Sequence, residues 1–443
     1  MAFDPEELKR KRLAREQKRK KDRQRLMARL VIAAVVLLAV GIAIFLLVKP
    51  QGQQTDPTQP PVTLPADPSD PSAPTDPLDP SAPTEPAAED TVIHFVTSGD
   101  LNINDKVVAS GGAAYDYTNM FMDVAPLFAD ADLAAINLEG NLCGSPYGSD
   151  SGSAPQNLAA ALSQMGVDII QLANSYTINR GPSGLAATID SVRAAGMEPV
   201  GAFKDDEDFQ KSRGYSVFMV KGIKIVVVAF TKGVGGMTVL PGSENCVNLL
   251  YKDYDTNYQN VDRERISSIM DAANEENPDL VIALVHWGST YNDEISGTQR
   301  TICNILKEKG ADAIIGTHSH YIEKMELDEQ TGTFVAWGLG DFVSDIIKTK
   351  NGEVITYKQP AGTEYGVILD LEITKSADGQ TKITGYSFTP TFCIYVDGEP
   401  MRVVRTNEAM RAYENGHINS VTKKIYDAMD YSLWRVQART DGE

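Results

Sequence analysis

Two apolar runs dominate the pattern of this chain. Leu280-Val281-Ile282-Ala283-Leu284-Val285 ends in His286-Trp287-Gly288. Beyond a helical stretch, Ala313-Ile314-Ile315-Gly316 ends in Thr317-His318-Ser319-His320. Runs that are apolar throughout, rather than alternating, are what strands covered on both faces require. Three earlier segments share the pattern. Residues 92–97 precede Ser98-Gly99-Asp100, residues 133–136 precede Asn137-Leu138-Glu139-Gly140, and residues 168–172 precede Ala173-Asn174-Ser175-Tyr176. Between them the spacing predicts helices over 120–128, 157–165 and 182–195, the last with Pro182 in its first turn and Gly196 past its end. A short strand at 200–202 follows. Strand alternating with helix indicates a parallel sheet with both faces covered.

The second half adds a different rhythm. Residues 215–220 and 223–230 flank Lys221-Gly222, which reads as a hairpin turn. A helix over 261–274 precedes the histidine strand at Leu280. Residues 326–328, 333–337, 365–374 and 382–389 read as further strands, and 406–435 as helical. The predicted class is α/β, with the hairpins favouring a two-sheet α-β-β-α sandwich over a simple doubly wound sheet. One module over 91–443 is expected, with a helical tail from about 406.

The region before it is not globular. Residues 1–29 carry twelve Lys/Arg against five Asp/Glu, and residues 30–48 are an uninterrupted apolar run with glycine. At 1.5 Å rise per residue about 20 residues cross a bilayer, so 30–48 reads as a single transmembrane helix. The basic flank predicts an N-terminus in the cytoplasm and a C-terminal module outside. Residues 49–90 hold twelve of the 23 prolines, one at every third position from Pro65 to Pro86. That composition forms no core and reads as an extended polyproline II linker.

Of the formal charge of -19, the tail (+7) and linker (-7) cancel, so residues 91–443 carry all of it. An acidic module excludes nucleic acid as the expected partner, because phosphate binding needs a basic face. Cys143, Cys246, Cys303 and Cys393 form no C-x-x-C pair, which argues against a structural zinc knot. Outside the cell a disulfide is permitted, and the sequence selects none of the three pairings. Cys303, on the apolar side of a helical pattern, reads as a buried free thiol.

The candidate chemistry lies at the strand ends. Ligands of open α/β sheets bind beyond the carboxyl ends of the strands. Asp100, Glu139, Asn174, His286, His318 and His320 all fall there, and three of the chain's five histidines are among them. Carboxylates, an amide oxygen and neutral imidazoles make up the donor set of a divalent metal site, with two cations possible. Such a pair holds phosphoryl oxygens and activates water. The mixed N/O donors suit Mn, Fe, Zn or Co better than Ca. His94, inside the first strand, reads as structural, and His417 as a surface residue.

The ordered series Gly99-Asp100, Asn137-Leu138-Glu139-Gly140, Ala173-Asn174, Gly181 to Gly184 with Leu185 and Thr188, His286-Trp287-Gly288, His318-x-His320 and Leu339-Gly340-x-Phe342 resembles the CapA family. These are capsule-synthesis proteins linked to poly-γ-glutamate, with a domain related to calcineurin-like metallophosphoesterases. The resemblance implies a membrane-anchored cell-surface protein that assists synthesis, export or anchoring of poly-γ-glutamate or a similar anionic polymer, with a membrane synthase complex as a possible partner. The departures bear on catalysis. Tyr176 stands where the family has the histidine presumed to be the general acid. Asn179 replaces an aspartate, Thr290 a glutamate, Thr317 the first of paired histidines, and Asp341 the usual asparagine. The ligand set survives better than the proton-transfer set. Two further readings therefore stay open: a metal-dependent ecto-hydrolase of phosphoesters or γ-glutamyl amides, and a degenerate pocket that binds a partner.

Overall fold

The structure is a computed structural model. It describes residues 89–328, 330–343, 347–350, 353–356, 363, 365–396, 400–405 and 436–438. The basic tail, the expected membrane span, the linker up to residue 88, His417 and the expected helix over 406–435 lie outside the described residues. Among the described residues no helix is long and apolar enough to cross a membrane.

The first half alternates as expected. β1 (Thr91–Asn102) is followed by α1 (Asp105–Ser110), α2 (Thr118–Phe121), α3 (Ala125–Ala129) and β2 (Leu133–Glu139). Then come α4 (Asn157–Met165), β3 (Ile169–Gln171), α5 (Gly181–Ala194), β4 (Glu198–Val200) and α6 (Asp206–Ser212). The hairpin β5 (Tyr215–Val220) and β6 (Ile223–Thr231) opens a second alternation, continued by α7 (Arg263–Asn274), β7 (Leu280–His286), α8 (Gly297–Glu308) and β8 (Ala313–Thr317). Short strands β9 (Met325–Leu327), β10 (Phe334–Ala336), β11 (Asp341–Val343), β12 (Ile347–Lys350) and β13 (Glu353–Thr356) precede the long β14 (Tyr365–Lys375) and β15 (Thr381–Val396). β16 (Arg402–Arg405) and β17 (Val436–Ala438) pair with β15.

These strands form two sheets. One runs β13-β12-β15-β14-β1-β2-β3-β4, with β11 against β1; the other runs β5-β6-β7-β8-β10-β9. The mixed α/β, two-sheet architecture expected from the sequence is therefore present. Alternation along the second sheet shows how the layers stack. Ile225, Val227, Ala229, Ile282, Leu284 and Ile315 belong to the main core shared with the first sheet. Val226, Val228, Phe230, Val281, Ala283, Val285 and Ile314 belong to a second core under Ile266, Met270, Ile302 and Leu306 of α7 and α8. One face packs on a sheet and the other on helices, which is why these strands are apolar at every position. The β5–β6 turn places Lys221 and Gly222 at φ 48 and 85, the left-handed pair that matches strand twist in a two-residue hairpin.

Beyond shifts of one or two residues, such as the strand expected at 200–202 and found at Glu198–Val200, three boundaries differ from the sequence reading. The helix expected over 120–128 is two short ones, because Pro126 opens α3, where its missing N–H is tolerated, and cannot sit inside a continuous helix. Predicted to end before Ser98, β1 instead runs on to Asn102, with a shift in its register against β2 between Ser98 and Asp100. β15 extends to Val396, well past the expected 389. His94 does not point into the core. Its side chain is 38% exposed, with Nδ1 3.0 Å from Asp370 Oδ1. The four cysteines are buried and free.

The extension of β1 depends on a close approach. The Asp100 N–H donates to the Gly340 carbonyl at 3.1 Å, and a Cβ on Gly99 would run into that same carbonyl. Gly99→Ala should therefore cost about 1–3 kcal/mol of stability, as overpacking does. Denaturant unfolding of the full-length chain checks this; an unchanged midpoint would show that β1 and the Gly340 turn do not meet as described.

Candidate metal centre

The carboxyl ends of β1, β2, β7 and β8 meet at one rim. Asp100 lies within the extension of β1, Glu139 and His286 are the last residues of their strands, and His318 and His320 form the turn after β8. Five of the six residues expected at the site thus come together. Glu139, His286 and His318 form one group and Asp100, His320 and Asp341 another, each with ligand atoms within 4.8 Å of one another.

Asp100 is fully buried and central. Its Oδ1 accepts from Asn137 Nδ2 at 2.5 Å and its Oδ2 from the His318 N–H at 3.0 Å. His286 Nδ1 lies 4.0 Å from Oδ1, and His320 Nδ1 lies 3.8 Å from Oδ2. The opposite nitrogen of His286, Nε2, stands 3.0 Å from Glu139 Oε1 and 3.2 Å from the Ser175 hydroxyl. Thr317 Oγ1 holds Nδ1 at 3.1 Å. An outer partner on the far nitrogen is how proteins orient an imidazole toward a metal.

Asn174 takes a different place. Its Nδ2 donates to the Leu138 carbonyl at 2.7 Å and to Asn137 Oδ1 at 3.0 Å, while its Oδ1 accepts from the Tyr176 N–H at 2.9 Å. The amide oxygen serves the turn after β3, and the amide nitrogen ties that turn to β2. Through Asn137 it braces Asp100.

In the sequence Asp341 stands out only as a departure from a motif. It begins β11, which pairs in parallel with β1 and sets Asp341 opposite Asp100. Its Oδ1 lies 2.8 Å from His320 Nδ1. The available signal was its place after an apolar segment, Phe334 to Ala336, and the Gly338-Leu339-Gly340 turn. Lys232, also passed over, donates from Nζ to the Gly288 carbonyl at 2.6 Å and lies over the Tyr258 ring. It holds the Trp287-Gly288 turn from behind.

Electrostatics divides the rim. Burial pushes the carboxyls of Asp100 and Glu139 up, and that of Asp341 up to about 7. Burial also pushes His286 down to about 3 and His318 well below the usual imidazole range, so both rings are neutral and keep a lone pair. On His320 burial opposes charge, but the carboxylates of Asp341, Glu139 and Asp100 outweigh it and raise the ring to about 10. Three buried carboxyl groups thus face one imidazolium.

The residues fit divalent cations. His318 Nδ1 is buried with no hydrogen-bond partner, in a ring whose centroid is 4.4 Å from that of His286. A buried polar atom without a partner costs about 1–3 kcal/mol. The turn that carries it is strained, with His318 at φ 94 and His320 at φ 62. Such positions persist only where the surroundings hold them. Here the Asp100 carboxylate and the Tyr291 N–H, donating to the Ser319 carbonyl at 3.0 Å, do so. Above the donors opens a cleft of about 570 Å³, walled by Asn102, Asn104, Ser149, Tyr176, Asn179 and Tyr291 among others.

Residues 94–346 match the family model described as bacterial capsule synthesis protein PGA_cap, which covers more than half of the chain. The chain belongs to this family. Two curated relatives agree with that placement. The capsule biosynthesis protein CapA of Bacillus anthracis is 26% identical over 208 residues, 46% of this chain and 47% of the relative. The PGA biosynthesis protein CapA of Bacillus subtilis (strain 168) is 24% identical over 263 residues, 57% of this chain and 63% of the relative. The chain thus spans about half to two-thirds of the length of these relatives. Among solved structures, a Mycoplasma pneumoniae phosphatase is similar at TM-score 0.40 and 14% identity, covering 68% of this chain and 93% of that one. For a putative 5'-nucleotidase of Staphylococcus aureus the values are 0.41, 13%, 76% and 58%.

One buried acid near this PGA_cap centre belongs to neither donor group. Glu323 follows the His318–His320 turn, has Oε2 buried without a partner, and is pushed by burial up to about 7. A carboxyl whose folded pKa exceeds its unfolded value stabilises most below the unfolded pKa. That contribution is lost as pH rises toward the folded one. Glu323→Gln should therefore stabilise the fold at pH 8 by about 3 kcal/mol, read as a higher melting temperature, and change little near pH 4. A stabilisation independent of pH would show that Glu323 is not held protonated.

Proposed function

We propose that this capsule synthesis family member is a membrane-anchored surface protein whose cation-loaded rim engages an anionic polymer, poly-γ-glutamate or one of similar chemistry, during its synthesis, export or anchoring. The anchor is the apolar segment 30–48 and the stalk is the Pro-rich linker, with 91–443 outside the cell. The observation that carries this reading is the convergence of Asp100, Glu139, His286, His318 and His320 at one rim of a chain from a capsule family. The fold is read as the metallophosphoesterase type because two sheets deliver these donors from their strand ends.

Glu139, His286 and His318 would hold one cation, and Asp100 and His320 the other. Bound divalent cations would polarise and hold anionic oxygens. The chain's own residues do the rest. Among the described residues that line the cleft there is no Lys or Arg, so beyond the His320 imidazolium, which faces three carboxyl groups, attraction for an anion would come from bound cations. Tyr176, Asn104, Asn179, Ser149 and Thr290 offer hydroxyls and amides to the neutral polar parts of a ligand. Burial, with the nearby Glu139 charge and Tyr291, raises the Tyr176 phenol above its usual value. It therefore remains a neutral O–H donor and is ill suited to shuttle protons. That weighs the site toward holding a polymer over cleaving it.

The full-length chain should bind poly-γ-glutamate in the presence of Mn, lose it after chelation, and ignore an uncharged polymer of equal length. His286→Ala should weaken binding at least tenfold. Polymer binding that survives chelation would overturn this reading. Turnover of a generic phosphodiester or a γ-glutamyl amide, dependent on Mn, would favour the hydrolase instead.

A further inference from the structure

The two donor groups are chemically unequal. Glu139, His286 and His318 offer two imidazole nitrogens and one carboxylate. Asp100, His320 and Asp341 offer one nitrogen and two carboxylates. In the first group His286 Nε2 stands 3.0 Å from Glu139 Oε1. In the second, His320 Nδ1 stands 2.8 Å from Asp341 Oδ1 and 3.8 Å from Asp100 Oδ2. Ligand atoms about 2.1 Å from a tetrahedral ion stand roughly 3.4 Å apart, so both sets can close on a cation with small side-chain adjustments.

We propose that Asp341 is a direct cation ligand and that the rim has two seats of different hardness. The nitrogen-rich seat, Glu139–His286–His318, takes a borderline ion such as zinc first. The oxygen-rich seat, Asp100–His320–Asp341, remains for a harder ion such as manganese or magnesium. This rests on the reading of the rim as a cation site.

The rival role for Asp341 is to orient His320 from behind, as carboxylates often do for metal-bound imidazoles. Three observations favour direct ligation. Asp341 itself lines the cleft, along with His320. It sits in register with Asp100, so both carboxylates approach His320 from β1 and its neighbour β11. The Nδ1 edge of His320 faces both acids, so the three atoms enclose one space and Asp341 does not lie beyond the ring. Charge points the same way. Buried carboxylates need a positive partner, and the second group has two of them against one imidazole.

The test uses the full-length chain stripped of metal. One equivalent of zinc is added, then manganese is titrated and followed by its electron paramagnetic resonance. The expected result is one tight zinc, then one manganese. Asp341→Asn should weaken the manganese at least tenfold and leave the first zinc tight, which also reports that the variant is folded. Zinc-edge X-ray absorption of the unaltered chain is a second measurement, expected to show two imidazoles per zinc at one equivalent and fewer at two. The proposal is overturned if Asp341→Asn leaves manganese binding unchanged, if it weakens both metals alike, or if the first zinc shows a single imidazole. Failure of the unaltered chain to take up any metal would instead overturn the cation-site reading beneath it, and this proposal with it.

Discussion

The Asp100 carboxylate couples the two sheets. It stands on a strand of the first sheet, yet one oxygen accepts the backbone N–H of His318, which follows the last residue of β8 in the second. The other oxygen is held by Asn137 from β2. Taking a carboxylate out of water costs several kcal/mol unless positive charge and hydrogen bonds meet it. Here two hydrogen bonds and the His320 imidazolium meet it. The alignment of the sheets and the charge state of the rim are therefore one problem. Whatever occupies the rim also sets how firmly the strand ends are joined.

The same coupling explains the strain. His318 and His320 hold left-handed backbone conformations that non-glycine residues avoid. The turn is bent so that its first N–H reaches Asp100 while its two rings reach opposite donor groups. A relaxed turn would send one of those rings elsewhere. Behind it, Trp287 stacks on Trp337 with centroids 5.3 Å apart, and its Nε1 donates to the Trp337 carbonyl. Large buried rings leave the adjoining β7 and β10 ends little room to shift.

Much of this was legible in the chain. The runs at 280–285 and 313–316 are apolar throughout because each strand is pressed between a sheet and a helix layer. Polar residues following such runs therefore stand out, and Glu139, His286, His318 and His320 could be picked from that contrast alone. What was not legible depends on distant pairing. Nothing near Asp100 shows that β1 continues, since its extension is held between β2 and β11, and β11 lies some 240 residues away. Asp341 escaped for the same reason. Asn174 shows the limit in another way, since an amide at a strand end can ligate a metal or fold its own turn. Its hydrogen bonds to Leu138 and Tyr176, visible only in three dimensions, tie the turn after β3 to β2.

Charge makes the remaining link to function. A module carrying -19 should repel a polyanion, but that repulsion is screened beyond about 8 Å at physiological ionic strength. What matters is the sign of the potential at the cleft. Among the described residues of its lining there is no Lys or Arg; a metal-free rim of three carboxyl groups and one imidazolium carries at most one positive charge, is neutral with one carboxyl ionised and negative with more. Two divalent cations against three carboxylates leave one net positive charge, with all three imidazoles neutral. Loading would thus reverse the sign at one point on an otherwise acidic surface, and the anionic ligand proposed above would be drawn to the cleft. On the proposed reading, recognition of an anion would be conditional on metal, and the buried acids whose desolvation opposes folding would be the ones that bring the metal there.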